Sequence, residues 1–378
     1  MDDFDYSPGG ILLRGAGAAD IEAAQRKFQL HLAKIGLDWC VSMPGAPHAG
    51  DGAVSFQLRK DLAREYAPDW DTTKLHLKFD LDTQGNSSDI EKEILLSMLV
   101  CPAAFEFPSY EELASSVRIR RNIVEAARKT VLAFDTEEAE RPVDCWTYAE
   151  DSGFTILPGA SLISPLQKAT QPSFSGSLYS FSCYRATEYV ILLAIAQELE
   201  ICNPDLYRQL QKQWEVRAIK SGEFHDVFLR EYGSMDAPLP PKYYVPGDRL
   251  WFRNPDQYSS DVKGYEGSWV FYLGSGLFTN FWKEGQVYTL TSKCLELFHW
   301  RNATFRDKEG KLQIDEAAVE ELVAASMSDQ VEAGRILQEM VRLREPQGVY
   351  LDGGCIDTSR EYPRLVCPGT SDLVLPAA

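Results

Sequence analysis

The spacing of apolar residues predicts helices in the first two thirds of the chain. Residues 19–36 repeat apolar positions with the period of an amphipathic helix, and Gly36 is a typical helix end. Residues 109–132 predict either one long helix or a helix pair, and 184–201 predict the most hydrophobic helix of the chain. The remaining predicted helices are 88–101, 204–220 and 315–344.

From Tyr243 onward the pattern changes to short apolar runs separated by turn residues, which indicates strands. The predicted strand segments are RLWFRNPD, GSWVFYLGSG, LFTNFWKEG and residues 294–300. Gly-Ser-Gly and Lys-Glu-Gly are typical of hairpin turns. Helices followed by an antiparallel sheet predict an α+β fold, with a helical N-terminal half and the sheet in the C-terminal half.

Composition supports a folded protein with a sizeable core, because 44% of the 378 residues are hydrophobic and 25% are charged. The opening MDDFDYSPGG has neither a basic start nor an apolar run, so we expect no signal peptide. The apolar run YVILLAIA at 189–196 is too short to span a bilayer. We therefore expect a cytoplasmic protein without membrane contact.

The net charge of −18 disfavours non-specific binding to nucleic acid and suits a pocket for a cationic group. The eight cysteines contain no CxxC pair, which argues against a disulfide framework and a zinc site. A phosphate-binding glycine loop and a dinucleotide fingerprint are also missing. We expect no metal and no cofactor.

The strongest chemical candidate is Cys183 in LYSFSCYRATEYVILLAIAQEL, directly before the most apolar helix. The positive end of a helix dipole stabilises a thiolate and lowers its pKa. This arrangement is typical of cysteine acyltransferases and papain-like peptidases. The alternative is a buried, unreactive thiol.

A resemblance to a known family strengthens this candidate. Several segments across about residues 118–300 resemble the small bacterial spore-coat protein-glutamine γ-glutamyltransferases. The resemblance implies a compact papain-like, transglutaminase-like core with Cys183 as the catalytic cysteine. The segments are RRNIVEAARK, GFTILPG, LYSFSCYRA, PGDRLWFRNPD and GYEGSWVFYLGSGLFTNFW.

The chain departs from that family at the positions of the catalytic partners. The family has Glu before its cysteine, whereas this chain has Ser182 there. The family has a Gly-Glu pair on the next strand, whereas this chain has Gly267-Ser268. The family's Gly-His-Gly turn is replaced by Asn280-Phe281-Trp282. Three explanations stay open: an inactive relative, a base supplied from elsewhere, or acyl chemistry that needs only a thiolate.

Three residues are candidates for the replacement base or acid. They are His299, Glu188 and Glu266, since a carboxyl group in an apolar pocket gains basicity. The alternative for His299 is a structural role beside Trp300. We expect the substrate to contact residues around the cysteine and the strand pair, namely Tyr179, Arg185, Asp256, Ser268, Trp269, Phe281 and Trp282.

The blocks HWRNATFRDKEGKLQIDE and CIDTSREYPRLVCPG resemble a fungal family that we interpret as arginine-containing cyclodipeptide synthases. That resemblance implies transfer of an aminoacyl group from arginyl-tRNA to the enzyme, followed by attack of a second amino acid's amine and cyclisation. Transfer RNA requires a basic stripe. The candidates are Arg118, Arg120, Arg121, Arg128 and Lys129, which alternatively form a solvated helix face.

Three functions follow. The first is a cysteine-dependent aminoacyl transferase that forms amide bonds through a thioester, specifically a tRNA-dependent cyclodipeptide synthase. The second is a protein-glutamine γ-glutamyltransferase that crosslinks protein substrates, and the third is an inactive binding module. We expect residues 1–110 to form an extension or cap, 111–345 the catalytic core, and 346–378 an irregular wrap.

Overall fold

The computed structural model describes residues 8–44, 52–135, 139–345 and 353–376. The helices within these residues, in chain order α1 to α14, are Ala18–Ile35, Lys60–Tyr66, Leu75–Lys78, Ser87–Leu99, Tyr110–Lys129, Ile163–Thr170, Pro172–Ser175, Cys183–Cys202, Pro204–Val216, Ser221–Phe228, Gln257–Ser260, Leu290–Ala303, Glu316–Ser328 and Gln330–Met340.

The strands in the same residues, in chain order β1 to β16, are Ile11–Arg14, Val41–Ser42, Ala53–Leu58, Phe105–Phe107, Ala133–Phe134, Trp146–Ala149, Gly153–Ile156, Ser180–Phe181, Leu229–Tyr232, Arg249–Arg253, Gly267–Gly274, Leu277–Thr279, Val287–Thr289, Thr304–Arg306, Leu312–Ile314 and Arg360–Pro363. The predicted α+β class and most predicted helices are confirmed. Residues 1–16 predict a tail or an entry strand, and β1 lies within them. Most other short strands before Tyr243 were missed, because such runs are too brief to show a period.

The main sheet has six strands in the order β13-β12-β11-β10-β16-β9, and its neighbours pair antiparallel. Strand β16 comes from the C-terminal segment and lies between β10 and β9. Part of the predicted wrap is therefore an internal strand of the sheet. A second sheet, β2-β3-β1-β4, lies in the N-terminal part.

Helix α8 is the centre of the fold and packs against α5 and β11. Its residues from Ala186 to Ala196 are all buried, which agrees with the apolar sequence. Ser182 begins the helix by accepting a hydrogen bond from the backbone N–H of Arg185, at 3.3 Å. Asn203 ends it, and the following proline begins α9.

The strand predicted at residues 294–300 is wrong, because this segment lies inside helix α12. Thr289 caps the helix in a capping box with Ser292, and this polar signal precedes the apolar run. Cys294, Leu297 and Phe298 then face the core at helical spacing. The predicted helix at 315–344 is two helices, because Asp329 ends α13 and caps α14.

The residues before 110 share a hydrophobic core with the rest of the chain. Ile11, Phe28 and Leu96 belong to the same buried cluster as Leu192 on α8 and Leu373 near the C-terminus. A second cluster on the other side of the main sheet joins β10 and β11 to α12, α13 and α14. Within the described residues, no helix is long and apolar enough to cross a membrane.

Candidate active site

Cys183 is the first residue of α8 and is half-buried. The backbone N–H groups of Trp269 on β11 and of Tyr184 both lower the pKa of its thiol. Helix α8 thus places the thiol at its N-terminus, and β11 supplies a polar group opposite. This position matches the helix-start geometry that the sequence predicts.

The pKa of the Cys183 thiol is nevertheless raised above its ordinary value. Burial is the largest cause, and it outweighs the Trp269 N–H and the positive charges of Lys293 and Arg249, which lower the pKa. The expectation of a lowered pKa from the helix dipole alone is therefore wrong for this thiol, because desolvation of the thiolate costs more.

The Cys183 side chain lines a cavity of about 330 Å³, the cysteine cavity. Strand β11, the β12–β13 connection and helices α12 and α13 form its walls. The residues that line it include Cys183, Ser268, Trp282, Tyr288, Lys293 and Glu296. Among the described residues that line it, none is a histidine.

Lys293 is a buried cation in the wall of this cavity, with a side chain only 3% exposed. Its ammonium donates to Glu296 at 2.6 Å and lies 4.3 Å from the centre of the Tyr288 ring. The Tyr288 hydroxyl donates to the same carboxylate at 2.8 Å. The three side chains form a polar cluster that faces the thiol's cavity.

Sequence reasoning missed Lys293 because it assigned the following segment to a strand. In helix α12, Lys293 and Glu296 are three residues apart and lie on the same face. The capping signal at Thr289 and Ser292 was the local clue that α12 begins there.

Ser268 and Trp282 are the two predicted substrate contacts that share the cysteine cavity with Cys183. Trp269 contributes its backbone N–H to the thiol, while its ring stacks on Trp251 and lies 4.0 Å from the Arg249 guanidinium. The Trp269 ring therefore packs outside the cysteine cavity, against Trp251 and Arg249.

His299 does not belong to this cavity and is a satisfied core side chain. Its Nε2 lies 2.8 Å from the Ser326 hydroxyl, and its Nδ1 lies 3.0 Å from the Asn302 amide. Burial lowers its pKa. Helix α12 turns His299 toward α13, so the structure does not place it as the replacement base.

Glu188 and Glu266 also lie outside the cysteine cavity. Glu188 is 1% exposed, pairs with Arg185 at 2.8 Å and accepts from the Ser221 hydroxyl at 3.0 Å, and burial raises its pKa. Glu266 is exposed on the surface. The structure does not bring either carboxylate to the thiol.

The other predicted substrate contacts have local structural roles. Asp256 caps α11 by accepting from the Ser259 N–H at 2.8 Å, and Phe281 is 2% exposed in the main core. Tyr179 is half-buried against that core. Arg185 lines a different cavity, described below.

The five basic residues of α5 do not share one open face. Arg120 is fully buried and donates to Asp248 at 2.7 Å. Arg118 pairs with Glu198 at 2.6 Å, and Arg128 donates to two backbone carbonyls. Arg121 lies 3.9 Å from both Glu91 and Glu125, and Lys129 is exposed. Helix α5 is packed between other elements, so the expected basic stripe does not form.

No group of three or more His, Cys, Asp or Glu side chains in the described parts of the chain is arranged to hold a metal ion. The polar groups that line the cysteine cavity are the Cys183 thiol, two lysine ammonium groups, amides, hydroxyls and carboxylates. Such a set can bind and move protons at an acyl group.

Comparison with known proteins identifies the family of the chain. A family model described as protein-glutamine γ-glutamyltransferase matches residues 72–373. The chain belongs to this family. The match begins well before residue 110, and the N-terminal residues also share the main core.

The protein-glutamine γ-glutamyltransferase of Bacillus licheniformis is 27% identical over 176 residues, which are 45% of this chain and 65% of that protein. The match therefore spans slightly less than two thirds of the relative's length. A solved transglutaminase from Geobacillus stearothermophilus, without its C-terminal extension, is 20% identical with a TM-score of 0.38. The match covers 57% of this chain and 98% of the chain in that structure.

Proposed function

We propose that this member of the family is a cysteine-dependent acyltransferase that forms an amide bond through a thioester at Cys183. The observation that carries the proposal is the cysteine cavity, in which the Cys183 thiol and the buried Lys293 ammonium line one space. Both the Trp269 N–H and the Lys293 charge favour the thiolate. A thiolate is the reactive form of cysteine.

The reaction needs two transfers. The Cys183 thiolate attacks the acyl carbon of the donor, the carbon–sulfur bond forms, and the bond to the leaving group breaks while Lys293 gives that group a proton. The amine acceptor then attacks the thioester, the carbon–nitrogen bond forms, and the sulfur leaves as thiolate. The proton released by the amine returns to Lys293. A lysine paired with a nucleophile is a known variant of catalytic pairs.

The donor that family membership supports is the side-chain carboxamide of a protein glutamine, with ammonia as leaving group. We test it with a fluorescent primary amine and a glutamine-rich protein, using Cys183→Ala as the inactive control. Incorporation by the native chain and none by the variant would support this donor. No incorporation from pH 6 to 9 would exclude it.

A second donor class is favoured by a specific observation. None of the described residues that line the cysteine cavity is a histidine, and the family's acid positions are occupied by Ser182 and Ser268. An aminoacyl ester is already activated and needs less acid–base assistance than an amide. The cavity carboxylate of Glu316 suits a cationic side chain such as arginine.

The corresponding activity is cyclic dipeptide formation from arginyl-tRNA. The native chain, arginyl-tRNA and a mixture of amino acids would be incubated, and diketopiperazines would be sought by mass spectrometry. A product that is lost in Cys183→Ala supports this donor. If neither donor reacts while the protein is folded, Cys183 does not carry acyl transfer and the chain is a binding module.

A further inference from the structure

A second cavity, of about 430 Å³, lies beside the start of helix α8. We call it the hairpin cavity, because the β6–β7 hairpin forms part of its wall. Ser182 and Arg185 line the hairpin cavity, whereas Cys183 between them lines the cysteine cavity. The two cavities therefore flank the first turn of α8.

Arg141 is the residue of the hairpin cavity that indicates a ligand-binding site. Its side chain is 5% exposed, and its guanidinium lies 3.5 Å from the centre of the Phe181 ring and 4.4 Å from that of Tyr189. It donates to the backbone carbonyls of Glu140 and Ser180. Its Nε is buried without a hydrogen-bond partner, and Arg141 forms no ion pair within the described residues. A buried cation without an anionic partner is costly.

The remaining charges of this cavity have both signs. Arg185 is already paired with Glu188 at 2.8 Å, so its charge is offset within the protein. Lys220 adds a second cation, and Glu150 adds a carboxylate to the lining. A ligand with one positive and one negative group matches this wall better than a simple anion.

The uncharged part of the wall is aromatic. Tyr148 and Phe154 belong to the lining, and their ring centres lie 4.9 Å apart on the β6–β7 hairpin. The Phe154 ring also lies 4.8 Å from the Arg141 guanidinium. Such a surface contacts an apolar or aromatic side chain while the charged groups hold the polar end.

We propose that the hairpin cavity binds a free α-amino acid. The carboxylate of the ligand would pair with Arg141 and Lys220, and its ammonium with Glu150. The role of this amino acid as amine acceptor for the Cys183 thioester rests on the proposed function. Its binding does not, because the hairpin cavity does not include the thiol.

The test is isothermal titration of the full chain with L-phenylalanine, L-leucine and L-arginine. Two analogues accompany them: L-phenylalaninamide, which lacks the carboxylate, and 3-phenylpropanoate, which lacks the ammonium group. We expect at least one amino acid to bind, and its analogues without one charged group to bind at least about tenfold more weakly. Lys220→Met should weaken binding about tenfold. Exposed Lys212→Met on α9, outside the cavity, should leave it unchanged.

The titration is repeated with Cys183→Ala, which should bind the amino acid as the native chain does. No binding by any of the three amino acids, or equal binding after loss of the carboxylate, would overturn the inference. Binding that persists while the native chain transfers no acyl group would overturn the proposed function alone. Acyl transfer without amino acid binding would overturn the hairpin site alone.

Discussion

At the scale of single residues, the reactivity of Cys183 is a balance between burial and charge. Burial raises the thiol pKa, whereas the Trp269 N–H, Lys293 and Arg249 lower it. The Arg249 guanidinium donates a hydrogen bond to the Thr187 hydroxyl at 2.8 Å and another to the Glu361 carboxylate at 2.6 Å. Of these two cations, Lys293 is the one that lines the cysteine cavity, and its removal should raise the pKa of the thiol.

Lys293→Met should raise the pKa of Cys183 further, because the variant keeps the burial and loses a favourable charge. The pH at which iodoacetamide alkylates half of the thiol should move upward. Acyl transfer should fall by about 100-fold or more, since the leaving group loses its proton donor. Alkylation measured by mass spectrometry between pH 6 and 10 checks the first effect, and initial rates check the second.

Lys283→Met is the matched control for this variant. Lys283 lines the same cavity, but it is more exposed and pairs with Glu320. Its alkylation profile should coincide with that of the native chain. An unchanged profile in Lys293→Met would contradict the role given to Lys293.

His299→Gln should leave acyl transfer unchanged and lower the free energy of unfolding by about 1 kcal/mol. The imidazole contacts Ser326 and Asn302, so its loss removes structural hydrogen bonds. Urea denaturation and initial rates measure the two effects. If transfer were lost in a folded variant, His299 would have to act on the substrate.

At the scale of elements, helix α8 presents the thiol because Ser182 caps it. The Ser182 hydroxyl accepts from the Arg185 N–H at 3.3 Å, which orders the first turn that contains Cys183. Loss of the cap leaves a backbone N–H of the first helical turn without a hydrogen-bond acceptor, and that turn then frays. The position of the cysteine therefore depends on its neighbour.

Ser182→Ala should lower the free energy of unfolding by about 1 kcal/mol and slow acyl transfer. Ser109→Ala is the matched control, because Ser109 caps α5 by accepting a hydrogen bond from the Glu112 N–H at 3.1 Å. Ser109 and Glu112 do not line the cysteine cavity. The control should lose similar stability but keep the native transfer rate per folded molecule. Equal transfer rates in both variants would contradict a role of the Ser182 cap in the site.

At the scale of the whole molecule, Glu93 links the N-terminal part to the main sheet. This residue of α4 is fully buried and accepts from the Ser275 N–H at 2.9 Å and the Tyr272 hydroxyl at 3.1 Å. Burial raises the pKa of its carboxyl to about 7. The folded chain thus keeps a proton on Glu93 that the unfolded chain has already lost.

Between pH 4.5, the ordinary value for this carboxyl, and about 7, the folded state binds more protons than the unfolded state. The Glu93 contribution to the free energy of unfolding should therefore fall as pH rises through this window, by about 3 kcal/mol, and level off above it. Glu93→Gln should lack this component. Urea denaturation of both proteins from pH 4.5 to 8 measures the difference, and parallel curves would contradict it.

The sequence by itself determined the features that depend on neighbours along the chain. The apolar period and the flanking residues predict α1, α5 and α8 closely, and Cys183 lies at the start of α8 as expected. The resemblance to the protein-glutamine γ-glutamyltransferase family is confirmed. These predictions succeed because caps and helical faces are set by residues within a few positions of one another.

Only the tertiary structure decided which distant residues share a cavity. Lys293 reaches the cavity of Cys183 across 110 positions, whereas Arg120, with the same charge type, is buried against Asp248. His299 lies on another face of the helix that carries Lys293, and its imidazole is hydrogen-bonded to Ser326. Charge and chemistry can be read from the sequence, but the partner of each buried polar group follows from how the helices pack against the sheet.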